Sequence, residues 1–241
     1  MDFSGKHVLV TGGALRVGAA LCRVFAAAGA RVTIHCRSSV AAAEKLAAEL
    51  PGGGHAVVVA DFTPGEAGAA ELWSKLALPV DVLVNNASCY RLPAGRSGEY
   101  ESVNRRAPRE LMRCFAGQDL AEGAVVNFLD QAVLNPASAE DPVYVASRRG
   151  LMEDTLDFAR RYGKKNLRFN AVAPGPVIPP RGLENSKMLK TLRHVPLARP
   201  VALDDLVAAV LFLAGSDSIT GAILPVDCGM HIFDEMMNDE R

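Results

Sequence analysis

The sequence predicts an α/β fold built on a seven-stranded, doubly wound parallel sheet flanked by helices. Three observations carry that expectation. Short apolar runs alternate with helical patterns along all 241 residues. Most of the runs are nearly continuous in Val, Leu, Ile and Ala, as strands covered on both faces should be. Hydrophobic residues make up 49% of the chain and aromatics only 6%, which suits a sheet packed by aliphatic side chains.

The elements follow in order. Candidate strands are His7–Thr11, Arg31–His35, His55–Ala60, Asp81–Asn85, Ala124–Leu129, Leu167–Val172 and Ala222–Val226. Candidate helices are Val17–Ala28, Ser39–Leu50, Gly65–Leu76, Arg106–Ala116, Pro142–Tyr162 and Leu203–Ala214. No internal repeat or low-complexity linker interrupts them, so residues 1–241 are expected to form a single domain. The segment Pro174–Pro196 breaks the rhythm and holds five of the fourteen prolines. It predicts a substrate lid near 176–195, with a short helix near Glu184–Leu192.

Composition narrows the function. Lys and Arg number 26 and Asp and Glu 27, a net charge of −1. This lacks the basic excess of a nucleic-acid partner. No apolar run is long enough to span a bilayer. The first residues, Met1 to Lys6, lead straight toward a strand, so no signal peptide is expected. Five cysteines, an odd number without a CxxC pair, read as reduced thiols in a cytoplasmic protein. The five histidines (His7, His35, His55, His194 and His231) show no metal-ligand spacing, and His194 falls in the lid. The Gly-x-Ser-x-Gly elbow of serine hydrolases is absent.

The first strand runs into Thr11-Gly12-Gly13-Ala14-Leu15-Arg16-Val17-Gly18 and then a helix. Gly12 permits a tight turn, and Gly18 permits close packing of helix on strand. The free N–H groups of the helix start face a pyrophosphate, as in dinucleotide-binding βαβ units. The second strand ends Ile34-His35-Cys36-Arg37-Ser38-Ser39. An NAD-binding unit usually carries Asp or Glu near here for the ribose 2′-hydroxyl. This chain offers Arg37, the hydroxyls of Ser38 and Ser39, and Arg16 in the loop. Arginine binds a 2′-phosphate that a carboxylate would repel, so the charges favour NADP(H) over NAD(H).

Further motifs fall in a fixed order. Asp61-Phe62 follows the third strand, and Asn85-Asn86-Ala87-Ser88 ends the fourth. Asn104 sits in Ser102-Val103-Asn104-Arg105. Tyr144 stands four residues before a basic residue, Pro174-Gly175 follows the sixth strand, and Thr220-Gly221 precedes the last. With these residues the chain resembles the short-chain dehydrogenase/reductase family, of Rossmann type, over essentially its full length. The resemblance implies roles. Gly12, Val17 and Gly18 would hold the pyrophosphate, and Asp61 with Phe62 would meet the adenine. Asn86, Ala87 and Ser88 would line the cofactor site, with Pro174 and Gly175 beside the nicotinamide. Asn104 would hold a proton-relay water, and Tyr144 would protonate the substrate.

Three details resemble the pteridine and dihydromonapterin reductases of that family. Arg16 stands where most relatives have glycine; in pteridine reductases an arginine there contacts the cofactor phosphates and reaches the pterin. Tyr90, after Asn85-Asn86-Ala87-Ser88-Cys89, matches an aromatic that stacks on the pterin. Asp130 falls where the usual catalytic serine would be and would work with Tyr144. It lies fourteen residues before Tyr144, which implies a one-residue insertion near Ala137–Asp141. Arg16, Ser88, Tyr90, Asp130 and Tyr144 are therefore the expected substrate residues.

One residue departs from the family pattern. A cation four positions after the tyrosine shares its helix face. It is expected to stabilise the phenolate and so make Tyr144 a better acid. That cation is normally lysine, but here it is Arg148. Arginine keeps the charge with a bulkier, planar donor set. Three readings follow from the sequence: an NADPH-dependent pteridine reductase, a carbonyl reductase such as a 3-oxoacyl-carrier-protein reductase, or a silent NADP-binding protein. The helix Leu203–Ala214 is apolar on more than one face. The family commonly forms tetramers, so a homotetramer is expected. Cys228 stands where the family usually has a second glycine.

Overall fold

A computed structural model describes residues 1–93, 95–135, 141–177, 192 and 195–233. The seven strands are β1 His7–Val10, β2 Arg31–Cys36, β3 Ala56–Val59, β4 Val82–Asn85, β5 Gly123–Phe128, β6 Leu167–Pro174 and β7 Ile223–Val226. The helices are α1 Arg16–Ala27, α2 Val40–Glu49, α3 Glu66–Ser74, α4 Gly98–Glu101, α5 Ala107–Ala116, α6 Pro142–Tyr162 and α7 Leu203–Gly215. The sheet order is β3-β2-β1-β4-β5-β6-β7, and every pairing is parallel.

Strand alternation explains the two layers. Val8 and Val10 point into a core shared with Leu21 and Phe25 of α1 and Leu206 and Val210 of α7. Leu9 and Leu83 point the other way, onto Leu72 of α3, Leu111 and Phe115 of α5 and Leu151 of α6. The central strands β1, β4 and β5 are buried on both faces, which is why they read as continuous apolar runs. Strand order reverses between β1 and β4. In open α/β sheets the ligand crevice lies beyond the carboxyl ends of the strands at such a reversal.

Two local features were not legible beforehand. Helical backbone starts at Gly98, well before Arg106, and passes through a π-turn over Ser102–Arg106 into α5. That stretch buries only Tyr100, Val103 and Asn104, too few for a helical apolar period. Arg16 (φ 53°) and Cys228 (φ 56°) both occupy left-handed backbone, where a Cβ is disfavoured. This is a physical reason why the family pattern expected from the sequence has glycine there. The expected lid and its short helix fall mostly outside the described residues, as do His194 and the implied insertion, apart from Asp141.

Candidate active site

The loop after β1 is clasped to the end of β4. Thr11 Oγ1 accepts from the backbone N–H of Asn86 and of Ala87, each at 3.0 Å. Asn86 Nδ2 donates to the carbonyls of Thr11 (2.9 Å) and Gly12 (3.2 Å). A Cβ on Gly18 would lie 2.1 Å from the Gly12 carbonyl oxygen, so only glycine lets α1 start against this loop. Gly12 itself has φ 63° and packs against the Ala87 backbone.

His35, at the carboxyl end of β2, ties three segments together. Its Nδ1 accepts from the Gly12 N–H at 3.2 Å, which places the proton on Nε2, and Nε2 donates to the Ala60 carbonyl at 3.1 Å. The ring stacks on Phe62 with centroids 4.4 Å apart. Burial drives its pKa down to about 4 and keeps it neutral. The sequence treated His35 as one of several scattered histidines. The signal available was its place two residues before Arg37 at a strand end.

A cleft of about 410 Å³ opens above this floor. Gly12, Arg37, Ser38, Ser39, Asp61, Phe62, Ala87, Ser88 and Tyr90 all line it. Arg37 and Ser38 are exposed at its rim, and Ser39 precedes α2. No carboxylate follows β2 directly. Asp61, exposed across the cleft, spends Oδ1 on the Thr63 N–H at 2.9 Å.

The second half of the site joins β5 to α6. Tyr144 Oη donates to Asp130 Oδ2 at 3.1 Å and receives Arg148 Nε at 3.4 Å. Arg148 is only 2% exposed. Its Nη1 donates to the Phe128 carbonyl at 2.9 Å, its Nη2 donates to Ser88 Oγ, and its guanidinium lies over the Tyr144 ring. Asp130 Oδ1 accepts from the Ala132 N–H. Burial pushes the Asp130 carboxyl up.

The tyrosine hydroxyl is likewise raised, chiefly by burial, and the neighbouring Asp130 adds to it. The expected cation effect is present, because Arg148 acts to lower the hydroxyl's pKa. Desolvation and the carboxylate outweigh it.

Comparison with known proteins identifies the chain. A family model described as "Enoyl-(Acyl carrier protein) reductase" matches residues 13–231. L-xylulose reductase of Caenorhabditis elegans is 31% identical, over 95% of this chain and 96% of that protein. The chain belongs to the short-chain dehydrogenase/reductase family. A probable galactose dehydrogenase of Rhizobium meliloti is 33% identical over similar shares of both chains, 95% and 96%. Among solved structures, FolM alternative dihydrofolate reductase 1 of Brucella canis, complexed with NADP, superposes with a TM-score of 0.85. It is 29% identical and the match covers 97% of this chain and 96% of that one.

Not every expected residue of this reductase-family chain sits in one place. Arg16 is exposed and is not part of the cleft lining. Gly175 packs on Asp227 at the end of β7, where a Cβ would come within 2.9 Å of the Asp227 Cα. Pro174 closes β6 beside it. Asn104 is fully buried and spends its amide on Cys89, accepting from its N–H and donating to its carbonyl, both at 3.0 Å. Tyr90 packs on Tyr144, ring centroids 4.7 Å apart, with Arg91 over the Tyr90 ring. Cys89 was also missed. Burial lifts its thiol to about 11, so it stays a neutral donor toward the Glu99 carbonyl.

Proposed function

We propose that this chain is an NADPH-dependent reductase that transfers hydride to a pteridine of the dihydropterin class, with Tyr144 as proton donor. The observation that carries the reading is the Tyr144 hydroxyl held between Asp130 and Arg148 under the ring of Tyr90. A carboxyl beside the tyrosine suits a substrate with ring nitrogens, and an aromatic at the mouth suits a flat one. The likeness to a FolM protein complexed with NADP supports both cofactor and substrate class.

The residues present fit NADP(H). Gly12, Val17 and Gly18 would hold the pyrophosphate, Arg37, Ser38 and Ser39 the 2′-phosphate, and Asp61 with Phe62 the adenine side. Arg16 would add charge at the phosphates. Asn86, Ala87, Ser88, Pro174 and Gly175 would border the nicotinamide half. The cofactor supplies hydride when bound. Tyr144 gives its proton to the substrate atom next to the reduced carbon. Arg148 stabilises the phenolate left behind, and a protonated Asp130 would return a proton to it. Asn104 keeps the wall behind Cys89 in place.

The test is NADPH consumption with a dihydropterin panel beside acetoacetyl thioesters and L-xylulose. Turnover of a dihydropterin, abolished by Tyr144→Phe with NADPH binding retained, is the expected result. A second reading, a carbonyl reductase, is favoured by the 31% identity to L-xylulose reductase. It predicts turnover of the thioester or ketose and no effect of Tyr90→Leu. Tight NADPH binding with no turnover of any compound would leave a silent NADP-binding protein. We also propose a homotetramer in the cytoplasm. Phe212 on α7 is 46% exposed, which suits a subunit contact, and all five cysteines are free thiols. Among the described residues no helix is long and apolar enough to cross a membrane. Light scattering of the purified protein checks the assembly.

A further inference from the structure

We infer that His231, locked by Asp227, is a substrate-recognition residue whose Nε2 accepts a hydrogen bond from a hydroxyl or amino group of the substrate. The inference rests on family membership and the crevice it defines, not on the pterin reading.

Asp227 follows β7 directly and is 3% exposed. A buried carboxylate must be fully partnered. Its Oδ1 accepts from the Gly229 N–H at 3.0 Å. Its Oδ2 accepts from the His231 N–H at 2.7 Å and pairs with His231 Nδ1 at 2.8 Å. Two backbone donors would already hold the turn. The imidazole is an additional partner, and its Nδ1 proton is committed to the carboxylate. This fixes the tautomer and leaves the Nε2 lone pair as an acceptor. Nε2 makes no hydrogen bond among the described residues, and the side chain is 28% exposed.

The turn is built to place this ring. Cys228 and Gly229 are consecutive left-handed residues, φ 56° and 88°, so the chain folds sharply back into the 3-10 turn Met230–Ile232. That turn packs on the turn Gln131–Val133, which begins immediately after Asp130. Asn135 Nδ2 donates to the Phe233 carbonyl at 3.2 Å and fastens the two together. On its other side Asp227 touches Gly175 at the end of β6. The dyad therefore stands at the carboxyl ends of β6 and β7, between the Asp130 turn and the Pro174-Gly175 corner. In the sheet order it lies on the opposite side of the β1/β4 reversal from Arg37.

Imidazole ¹⁵N spectra of the cofactor-free protein, with His231→Gln to assign the signal, test the lock. His231 is expected as the Nδ1–H tautomer, changing to Nε2–H in Asp227→Asn. An Nε2–H form in the native protein overturns it. Carbethoxylation with diethyl pyrocarbonate, mapped by peptide mass, tests the role. His231 is expected to react in the free protein and with NADP⁺ alone. Adding 7,8-dihydrobiopterin, L-xylulose or acetoacetyl thioester to the NADP⁺ complex should slow the reaction at least fivefold for the compound that is turned over. His231→Leu should raise KM for that compound about fivefold or more, with kcat within twofold. No protection by any of the three compounds overturns the proposal. Protection by another compound without dihydropterin turnover overturns only the pterin reading.

Discussion

Replacing Arg148 with methionine tests the charge arrangement of the site most directly. The guanidinium is 2% exposed and serves the Phe128 carbonyl, Tyr144 Oη and Ser88 Oγ. Methionine fills much of the space but strands a buried carbonyl and leaves Asp130 without its nearest cation. Leaving a buried carbonyl unpaired and a buried carboxylate without the charge that favours it costs about 3–5 kcal/mol. At roughly 2–4 °C per kcal/mol for a chain of this size, the melting temperature should fall by about 10 °C. Lysine keeps the charge but not the fork, so Arg148→Lys should lose only about 1–3 kcal/mol while preserving or raising NADPH oxidation.

The pH dependence has a definite sign. Burial raises the Asp130 pKa above its ordinary 3.8, so its ionised form opposes folding. That penalty is absent below 3.8 and grows as pH rises through the folded value. Arg148 offsets it. The gap between wild type and Arg148→Met should therefore narrow as pH is lowered from 7.5 toward 4. The double variant Asp130→Asn/Arg148→Met should melt higher than the two single losses added together. Thermal melts by circular dichroism decide the matter. An Arg148→Met protein within 2 °C of wild type, or strict additivity in the double variant, would refute the reasoning.

Three further outcomes are expected. Arg37→Asp should weaken NADPH binding roughly 10- to 100-fold while changing NADH binding little; equal losses measured by fluorescence titration would exclude the 2′-phosphate role. Gly18→Ala brings a methyl within 2.1 Å of the Gly12 carbonyl oxygen, so it should abolish tight NADPH binding with the far-ultraviolet spectrum intact. His35 falls from an ordinary 6.5 to about 4, so the unfolded chain binds its proton first. Stability is fully present above pH 6.5 and declines by up to about 3 kcal/mol as pH drops to 4. His35→Asn should flatten that part of the pH–stability curve, and an unchanged slope would contradict the assignment.

The fold was legible because both its periods are strong. Continuous apolar strands such as Val8–Val10 and Val125–Val126 can only be buried on two faces, and the β–α alternation then leaves few topologies. The cofactor half of the site was legible for a similar reason. Glycines and an arginine act there through backbone shape and charge, which sequence displays. His35 and Asp227 were not, because their importance lies in which carbonyls and N–H groups they meet across the sheet. The π-turn over Ser102–Arg106 was hidden because its buried residues are few and partly polar. For Tyr144 the sequence showed one influence on the hydroxyl and not the others. A cation at i+4 is visible in the sequence, whereas the depth of burial and the direction of the Asp130 carboxylate are not.

The same geometry bears on where the Tyr144 proton comes from. Among the described residues, two groups hydrogen-bond its hydroxyl, Asp130 and Arg148. Arginine does not give up a proton at any ordinary pH, so it acts on the phenolate only as a fixed charge. Asn104, fully buried, has its amide engaged by Cys89 and by Ser147 Oγ at 3.3 Å. Asp130 differs: its pKa is raised by burial, and it is half-buried at the start of the turn Gln131–Val133. Tyr144 already points its proton at this carboxylate. In the proposed mechanism Asp130 is therefore the group that would return a proton to Tyr144, with Arg148 as the fixed charge beside it.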